Sequence, residues 1–322
     1  MLYLGSLRGQ EGEACRAAGV DFAGFASGPL YNPASIAGMR SALKLVLASR
    51  GARKALRAFQ PAVLFSTGGY SAVPVMLAAR ARSVPYVLFE ANSVPGRSIR
   101  AFAQKASAVA GAFASTQSRL PGARFVRTGA PIRAALRAEA SRRDPEANLI
   151  LVVGGSQGSA FLNGIAPRAG KLMEGKAKWL HVSGKAGFEA CSEAARSIAD
   201  YEVRPFLEAS EMASAYRRAT VVFARSGGSL AELALFGLPS VLTPYPQSAA
   251  NHQLENALEF ERMGAAKVVE ESDATPKSVA AALQDWLADP KRRAAAAKAL
   301  GTFDNPNATA DILDLVEQAG AQ

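Results

Sequence analysis

The residues best suited to chemistry follow a short apolar run, Val221–Ala224, in the second half of the chain. Gly227 and Gly228 come next, and glycines can adopt positive φ and let a ligand approach the backbone. The N–H groups that open the following helix favour an anion or a hydroxyl oxygen. Glu232 lies one turn further on, where its carboxylate could accept two hydrogen bonds from a vicinal diol such as the 2′ and 3′ hydroxyls of a ribose. This spacing predicts a ligand site.

A second interpretation of the same stretch needs no ligand. Ser229 and Glu232 also match a capping box, in which the serine accepts a bond from a helical amide and the glutamate reaches back to the amide of the serine. The local pattern leaves both interpretations open. Beyond the next predicted strand, Asn251, Gln253 and Asn256 provide neutral donors and acceptors that suit sugar hydroxyls.

Two other glycine turns each follow an apolar run. One is Gly68, Gly69 and Tyr70, and the other is residues 154–159, Gly-Gly-Ser-Gln-Gly-Ser. The order strand, glycines, helix turns backbone amides towards an anion, so both turns are predicted to bind phosphate. The second turn lacks the G-x-G-x-x-G spacing and a P-loop lysine, which disfavours a nicotinamide or flavin site.

Three further positions lie on predicted strands or at their ends. Glu90 follows the predicted strand 85–89, at the edge where open α/β sheets bind ligands, and could act as a base or an acceptor. A charged residue that caps the next helix is the competing interpretation. Another predicted strand ends at Phe206 and Leu207, whose main-chain groups could bind the edge of a planar nucleobase. His181, inside a strand, is predicted to be packed and not catalytic.

The elements that must position these residues alternate between strand and helix along the whole chain. That alternation predicts an α/β fold with parallel sheets of the doubly wound type. A passage rich in Gly and Pro at residues 127–133 is followed by a charged, Ala-rich stretch, and this change predicts a domain boundary. We expect an N-terminal domain over residues 1–135 and a C-terminal domain over residues 136–322, with the last helix returning to the first domain.

Composition narrows the class of protein. The chain has 322 residues, 49% of them hydrophobic and 20% charged, which indicates globular domains. The net charge of +10 predicts an anionic partner, whether nucleic acid, membrane surface or phosphorylated substrate. Cys15 and Cys191 are expected to stay reduced. The sequence has no apolar run long enough to span a membrane and no signal peptide, so we expect a cytoplasmic protein.

The predicted helix over residues 34–59 mixes apolar side chains with lysines and arginines. A basic amphipathic surface of this kind can bind lipid head groups. A helix that packs one face on the core and leaves a solvated basic face accounts for the pattern equally well.

Several ordered motifs together resemble the MurG family of glycosyltransferases. The resemblance covers essentially the whole chain, and the motifs are Gly68-Gly-Tyr70, Glu90-x-Asn92, Gly154-Gly-Ser-Gln-Gly158, Arg225-Ser-Gly, Ala231-Glu232-Leu, Gly237-Leu-Pro-Ser and His252-Gln253 with Asn256. The resemblance implies a GT-B fold of two Rossmann-like domains with a cleft between them. It implies an inverting transferase that moves N-acetylglucosamine from UDP-N-acetylglucosamine to lipid I, making lipid II for peptidoglycan synthesis, cell shape and cell division. Nucleic acid is then not an expected partner.

Residue roles follow from the resemblance. It implies that Ser156 contacts the diphosphate, that Leu207 meets the uracil through its backbone and that Glu232 holds the ribose. The other implied donor contacts are Gly228, Ser229, Leu230, Ala231, Gln253 and Asn256, with Asn92 and Arg133 across the cleft. Gly68, Gly69 and Tyr70 would face the acceptor diphosphate, and Glu90 would be the general base. No cofactor or metal is implied, because such enzymes need no D-x-D motif and the sequence has none.

The sequence departs from the family pattern in three places. The family opens with a strand and a glycine loop ending in histidine, and we expect this chain to lack that first strand-loop-helix unit. Phe89 stands where the family often has histidine, and the turn from Arg225 to Glu232 is one residue shorter. A non-catalytic UDP-sugar binder or membrane scaffold, or a UDP-N-acetylglucosamine 2-epimerase, are the alternatives. The expected location is the cytoplasmic face of the plasma membrane, peripherally bound to an anionic surface.

Overall fold

Parallel strands and helices alternate along the part of the chain that the computed structural model describes, residues 1–7, 11–26, 36–155 and 157–321. Side chains are described for the same residues except 36–42. The strands are β1 Leu2–Ser6, β2 Asp21–Phe25, β3 Leu64–Ser66, β4 Tyr86–Glu90, β5 Ala108–Gly111, β6 Phe125–Arg127, β7 Leu149–Val153, β8 Lys178–Val182, β9 Tyr201–Arg204, β10 Val221–Ala224, β11 Ser240–Leu242 and β12 Ala266–Val268.

The helices fill the connections between these strands. They are α1 Glu11–Ala17, α2 Ile36–Phe59, α3 Ala72–Arg80, α4 Arg97–Phe102, α5 Ala134–Ala140, α6 Ala160–Leu172, α7 Phe188–Ala195, α8 Ala209–Arg218, α9 Leu230–Leu235, α10 His252–Arg262, α11 Pro276–Ala288, α12 Pro290–Phe303 and α13 Ala308–Gly320. Several short 3₁₀ turns complete the connections. Within the described residues every helix is too short or too polar to cross a bilayer.

The chain divides into two compact units. The N-terminal unit contains residues 1–91, 95–128 and 309–322, and the C-terminal unit contains residues 92–94 and 129–308. The sheets of the N-terminal unit are a parallel pair, β1-β2, and a parallel sheet in the order β3-β4-β5-β6. Helix α2 packs on α3 through Ala52 and Leu56, which face Val75 and Ala78 in one apolar cluster.

The C-terminal unit is built on one parallel sheet in the order β12-β11-β10-β7-β8-β9. The chain runs from β7 outward through β8 to β9, then crosses to β10 on the other side of β7 and continues to β12. The strand order therefore reverses between β7 and β10. In open parallel sheets the crevice beyond the carboxyl ends of the strands at such a point is where ligands bind. The strand order therefore predicts a ligand site at the loops after β7 and β10.

Burial explains why these strands form. All residues of β7 and β10 are buried, and their Val, Ile, Leu and Phe side chains have the apolar character of strands covered by helices on both faces. The prediction of parallel α/β sheets is confirmed. Strands β5, Ala-Val-Ala-Gly, and β6, three residues long, have no clear strand pattern, because small residues and short length carry little strand preference. Cys15 and Cys191 are free, as predicted.

Candidate functional site

A cavity of about 1010 Å³ opens at the carboxyl edge of the C-terminal sheet. Its lining comes from the loops that follow β7, β8, β9, β10, β11 and β12, from α8, from the starts of α6, α9 and α10, and from Arg133 before α5, all within the C-terminal unit. The sequence-predicted residues that line it are Arg133, Leu207, Gly228, Ser229, Glu232 and Gln253. A volume in the upper range of known ligand pockets suits a nucleotide-sized molecule.

The loops after β7 and β8 meet backbone to backbone in one wall of this cavity. Gly158 has φ +76°, and a Cβ built on it would lie 2.0 Å from the carbonyl oxygen of Ser183. Gly184 has φ +80°, and its Cβ would lie 2.4 Å from the carbonyl oxygen of Gln157. Any larger side chain would push these loops apart. Packing alone therefore requires glycine at positions 158 and 184.

Arg225 holds the loops together on the other side of the switch point. It follows β10 directly and is 9% exposed. Its Nε donates to Ser159 Oγ at 3.0 Å, and its Nη1 donates to the carbonyl oxygen of Thr243 at 3.0 Å. Its Nη2 forms an ion pair with the carboxylate of Glu271. One guanidinium thus ties together the loops after β7, β10, β11 and β12 at the cavity wall.

Glu232 projects from the first turn of α9 into the cavity. Its Oε2 accepts a hydrogen bond of 2.8 Å from the hydroxyl of Tyr216, and its Oε1 lies 3.7 Å from Arg133 Nη2. Burial, followed by the negative charge of Glu232, raises the pKa of the Tyr216 hydroxyl well above its ordinary value. Tyr216 therefore remains a donor, and it fixes one carboxylate oxygen in place. The arrangement presents an oriented acceptor to a ligand.

The capping-box interpretation of this helix start is wrong. Ser229 makes no side-chain hydrogen bond that caps α9, and Glu232 is bonded to Tyr216 instead of the amide of Ser229. The physical reason is that the buried tyrosine hydroxyl needs an acceptor, and Glu232 is within reach. The carboxylate of Glu232 is held by tertiary contacts and faces the cavity.

The polar loop after β11 is held to the turn after β10. Gln253 accepts a bond of 3.0 Å from the amide of Tyr245 through Oε1, and its carbonyl oxygen accepts one of 2.7 Å from the hydroxyl of Ser226. Ala250 and Asn251 have φ of +51° and +55°, in the left-handed region. This backbone bend brings Gln253 to the cavity lining beside the turn that contains Gly227 and Gly228.

Asn256 lies behind the cavity. It is 1% exposed, and its Oδ1 accepts bonds from the amide and hydroxyl of Ser93 at 2.9 and 3.0 Å. Its Nδ2 donates to Asn92 Oδ1 at 3.1 Å and to the carbonyl oxygen of Ser226 at 3.3 Å. The amide that sequence reasoning directed at a sugar thus fastens residues 92–94 to the C-terminal unit. Asn92, Leu230 and Ala231 are likewise absent from the lining of the cavity.

Glu90 is the last residue of β4 and is 4% exposed. Its Oε2 accepts a bond of 2.7 Å from the amide of Gly96, the residue that precedes α4. The carboxylate therefore binds the backbone at the start of this helix, as the capping interpretation of the sequence expected.

The turn at Gly68 and Gly69 has a left-handed backbone. Both glycines have positive φ, +80° and +87°. The amide of Gly68 donates to Ser66 Oγ at 3.1 Å and that of Gly69 to Ser98 Oγ at 3.0 Å. In this structure two amides of the turn are thus bonded to serines. Tyr70 beside them is 57% exposed.

Leu207 and Ser156 are the two other residues predicted to contact the nucleotide. Leu207 is 8% exposed and follows β9, whereas its neighbour Phe206 is 44% exposed, and both line the cavity. Ser156, expected at the diphosphate, lies outside the described residues.

His181 is packed, as predicted, and fully buried on β8, the strand next to the edge strand β9. Its ring nitrogens lie 2.9 Å from the hydroxyl of Tyr201 and 3.0 Å from Asn163 Oδ1. Burial lowers the pKa of His181 to about 3, so the ring is neutral at physiological pH.

Sequence reasoning missed Tyr216 and Glu271 as contributors to the cavity, whereas Ser159 belongs to the predicted phosphate turn. Tyr216 lies in α8, which nothing in the local pattern links to Glu232. The sequence places Arg225 only in the Arg225-Ser-Gly motif and predicts no contact for its side chain. Its position directly after a buried strand, at the edge where ligands bind, is the feature from which its role could have been found.

Comparison with family models matches both halves of the chain. Residues 1–111 match the glycosyltransferase family 28 N-terminal domain, and residues 149–315 match the glycosyltransferase family 28 C-terminal domain. A curated relative from an Exiguobacterium species is 32% identical over 98% of this chain and 90% of its own length. That relative is named UDP-N-acetylglucosamine--N-acetylmuramyl-(pentapeptide) pyrophosphoryl-undecaprenol N-acetylglucosamine transferase.

Solved structures agree with these matches. The crystal structure of MurG from Acinetobacter baumannii superposes with a TM-score of 0.77 at 26% identity and covers 97% of this chain and 89% of its own. The UDP-GlcNAc 2-epimerase from Neisseria meningitidis, bound to UDP-GlcNAc, superposes with a TM-score of 0.64 at 11% identity and covers 97% and 90%. The second likeness shows the fold alone. Together with the parallel sheets, these matches establish the predicted GT-B glycosyltransferase fold.

Proposed function

The chain belongs to the MurG family of glycosyltransferases, and from that membership we propose that it transfers N-acetylglucosamine from UDP-N-acetylglucosamine to an undecaprenyl-pyrophosphoryl N-acetylmuramyl acceptor. The observation that carries the proposal is the likeness to a named transferase at 32% identity over 98% of this chain. The reaction is the one that converts lipid I into lipid II in peptidoglycan synthesis. The enzyme is a hexosyltransferase.

The cavity of the C-terminal unit is the proposed donor site. Glu232 accepts hydrogen bonds from the ribose hydroxyls, since Tyr216 occupies only part of its acceptor capacity. The backbone of Leu207 meets the uracil, and the turn that contains Gly228 and Ser229 lines the nucleotide. Gln253 faces the sugar, and Ser156 contacts the diphosphate.

The remaining donor-side residues position the groups that contact the donor. Arg133, 3.7 Å from Glu232, holds the other carboxylate oxygen and adds positive charge beside the donor. Asn92 and Asn256 position the loop behind the sugar through their mutual hydrogen bond of 3.1 Å. Leu230 and Ala231 supply the start of α9, whose amides face the nucleotide.

The chemistry is a single inverting displacement. A base takes the proton of the acceptor 4-hydroxyl as that oxygen attacks the anomeric carbon, and the bond to UDP breaks. Backbone amides at helix starts stabilise the departing diphosphate. Glu90 is the proposed base, and Gly68, Gly69 and Tyr70 are the proposed contacts of the acceptor diphosphate. Glu90 would have to exchange its bond to the amide of Gly96 for one to the acceptor.

Membrane binding is proposed for the N-terminal unit, while the C-terminal unit, residues 92–94 and 129–308, forms the donor domain. The support is the outer face of α2, where Leu43 and Leu47 are 61% and 54% exposed. Exposed cations, Arg50, Arg53, Lys54 and Arg57, continue along the same helix. Apolar and basic side chains together suit an anionic lipid surface. The protein would then act peripherally at the cytoplasmic face of the plasma membrane, where its lipid-linked acceptor lies.

The alternatives are not favoured. The epimerase structure is 11% identical, a level at which only the fold is shared, whereas the transferase relative is 32% identical over nearly the whole chain. A scaffold that binds the donor without turnover would keep the cavity but not the reaction.

Parallel measurements of donor binding and turnover test the proposal. The purified protein should bind UDP-N-acetylglucosamine, and it should release UDP only when the lipid-linked acceptor is present. Glu90→Gln should lower kcat by about a hundredfold or more while donor affinity stays within about twofold. Binding without acceptor-dependent release would contradict the transferase. An unchanged kcat in Glu90→Gln would remove the assignment of the base alone.

A further inference from the structure

A second cavity, of about 380 Å³, lies in the C-terminal unit away from the proposed donor site. Its walls come from residues that precede strands: Asn148 before β7, Thr220 before β10 and Pro239 before β11. It therefore opens at the amino edge of the sheet, opposite the edge that holds the donor cavity. Helix α12 closes it with Arg293, Ala294 and Ala297.

The charges around this cavity have one sign. Arg143 and Arg293 line it, and no carboxylate does. The donor cavity differs, because its two arginines are accompanied by three carboxylates, those of Glu208, Glu232 and Glu271. Among the residues that the structure describes, neither Arg143 nor Arg293 forms an ion pair. A cavity that collects two cations without a counter-charge favours an anion.

Both guanidinium groups keep donors for a ligand. Arg143 Nη1 donates to the carbonyl oxygen of Tyr216 at 3.0 Å, and Arg293 Nη1 donates to the carbonyl oxygens of Trp286 and Leu287. These bonds fix the two side chains. In the described part of the chain, the Nε and Nη2 groups of both arginines have no protein acceptor. Burial lowers the pKa of Arg143, so a nearby negative charge would also relieve the cost of its desolvation.

We propose that this cavity binds a small, soluble phosphorylated anion between Arg143 and Arg293. Planar guanidinium groups match the oxygens of a phosphate with paired hydrogen bonds. The hydroxyl of Thr220 already donates to the carbonyl oxygen of Glu146, at 2.7 Å, so its oxygen adds a neutral acceptor and no charge. A volume of about 380 Å³ admits a molecule of the size of a sugar phosphate.

The site also touches the residue that orients Glu232. Arg143 binds the main chain of Tyr216 at the end of α8, and the side chain of Tyr216 donates to Glu232 in the donor cavity. An anion that changes the position of Arg143 thus acts on a residue of the donor site. The inference that an anion binds here does not depend on the proposed transferase activity.

Calorimetric titration with inorganic diphosphate tests the site. The double variant Arg143→Gln/Arg293→Gln should lose diphosphate affinity by about tenfold or more, since each arginine contributes charge-assisted hydrogen bonds. The matched control is Arg142→Gln/Arg292→Gln, which removes the same charge from exposed neighbours outside the cavity. The control should keep the affinity of the wild type. Equal affinities in the two double variants would overturn the proposal.

Two control measurements show whether a loss of diphosphate affinity comes from this cavity alone and not from unfolding or from the donor site. The melting temperature and the affinity for UDP, measured on both variants, separate a loss of this site from a general loss of structure. If the cavity variant fails to fold, wild-type crystals soaked in tungstate should show anomalous density between Arg143 and Arg293, and its absence overturns the proposal. Retention on anionic vesicles should be the same in both variants. A selective loss in the cavity variant would assign the site to a lipid head group and contradict a soluble ligand.

Discussion

At the scale of single residues, the donor site depends on how one carboxylate is held. Tyr216 donates to Glu232 from a buried position, and Arg133 lies on the other side. Each such hydrogen bond adds little to the net stability of the fold. Its loss, however, leaves the carboxylate of Glu232 poorly oriented. The proposed ribose contact should therefore be sensitive to a tyrosine that itself need not touch the ligand.

Tyr216→Phe tests this dependence. The variant removes the 2.8 Å hydrogen bond to Glu232 and leaves the packing of the ring intact. We expect the Kd for UDP to rise about tenfold, equivalent to about 1.4 kcal/mol, measured by calorimetry. Tyr201→Phe is the matched control, because the Tyr201 hydroxyl lies beside His181 and not beside Glu232. A Tyr216→Phe protein with wild-type affinity would show that Glu232 is oriented by other contacts.

The buried His181 predicts how stability changes with pH. Its folded-state pKa is about 3, below its ordinary value of 6.5, so only the unfolded chain takes up the proton between these values. Stability from this group is fully present above pH 6.5 and is lost as pH falls towards 3. Its share is about 1.4 kcal/mol per pH unit below the unfolded pKa.

Urea unfolding at pH 6.5, 5.5 and 4.5 measures that share, with the pH values bracketed by the two pKa values of His181. His181→Gln should show a shallower fall in the free energy of unfolding than the wild type. Val241→Ala should keep the wild-type slope, because this buried residue of β11 has no titratable group and lies three strands from His181 in the sheet. Parallel slopes for His181→Gln and the wild type would show that the ring is accessible to protons in the folded state.

At the scale of elements, the loops after β7 and β8 depend on glycine where they touch. Gly158→Ala would place a Cβ 2.0 Å from the carbonyl oxygen of Ser183, in addition to the strain of φ +76°. We expect a loss of several kcal/mol in stability and weaker UDP binding. Gly155→Ala is the matched control, with φ +89° and nothing within 4 Å of its Cβ, and should cost only about 1–2 kcal/mol.

Thermal unfolding and UDP titration of the two glycine variants provide the comparison. If Gly158→Ala and Gly155→Ala lose the same stability, the close approach of the two loops is not what holds the cavity wall.

Helix α2 offers a separate prediction about lipid. Ala52 and Leu56 pack into the apolar cluster on one face of this helix. Arg50, Arg53 and Lys54 lie outside that cluster and are exposed. Replacing these three cations by glutamine should reduce retention on anionic vesicles at low salt by about tenfold or more, since each contributes about 1 kcal/mol near the surface. The same change at Lys291, Arg292 and Lys298 of α12 is the control. Equal retention of both variants would show that the basic face of α2 is solvated and does not bind lipid.

The elements were largely predictable, and the contacts between them were not. Apolar runs between glycine turns identify β7 and β10, and the order of strands and helices gives the fold class. The partner of Glu232 could not be found this way, because Tyr216 is on another helix and only the tertiary fold brings its hydroxyl to the carboxylate. The same reason explains Asn256, whose local pattern fits a sugar contact equally well until Ser93 is seen to occupy its oxygen.

At the scale of the whole molecule, two chemically different cavities lie at opposite edges of the C-terminal sheet. One mixes arginines with carboxylates, which suits a ligand with hydroxyls as well as phosphates, and the other has arginines alone. The strand order accounts for the first, since it reverses between β7 and β10. The family relationship supplies the reaction, and the structure supplies the residues on which it can be tested.

Calorimetry of UDP binding to the full chain and to its Glu232→Ala variant is the most direct test that the C-terminal cavity is the donor site. The wild type should bind UDP, and the variant, measured well below its melting temperature, should bind at least about tenfold more weakly, because the ribose loses its charged acceptor. A folded wild type without affinity for UDP, or a variant with the same affinity, would contradict the account.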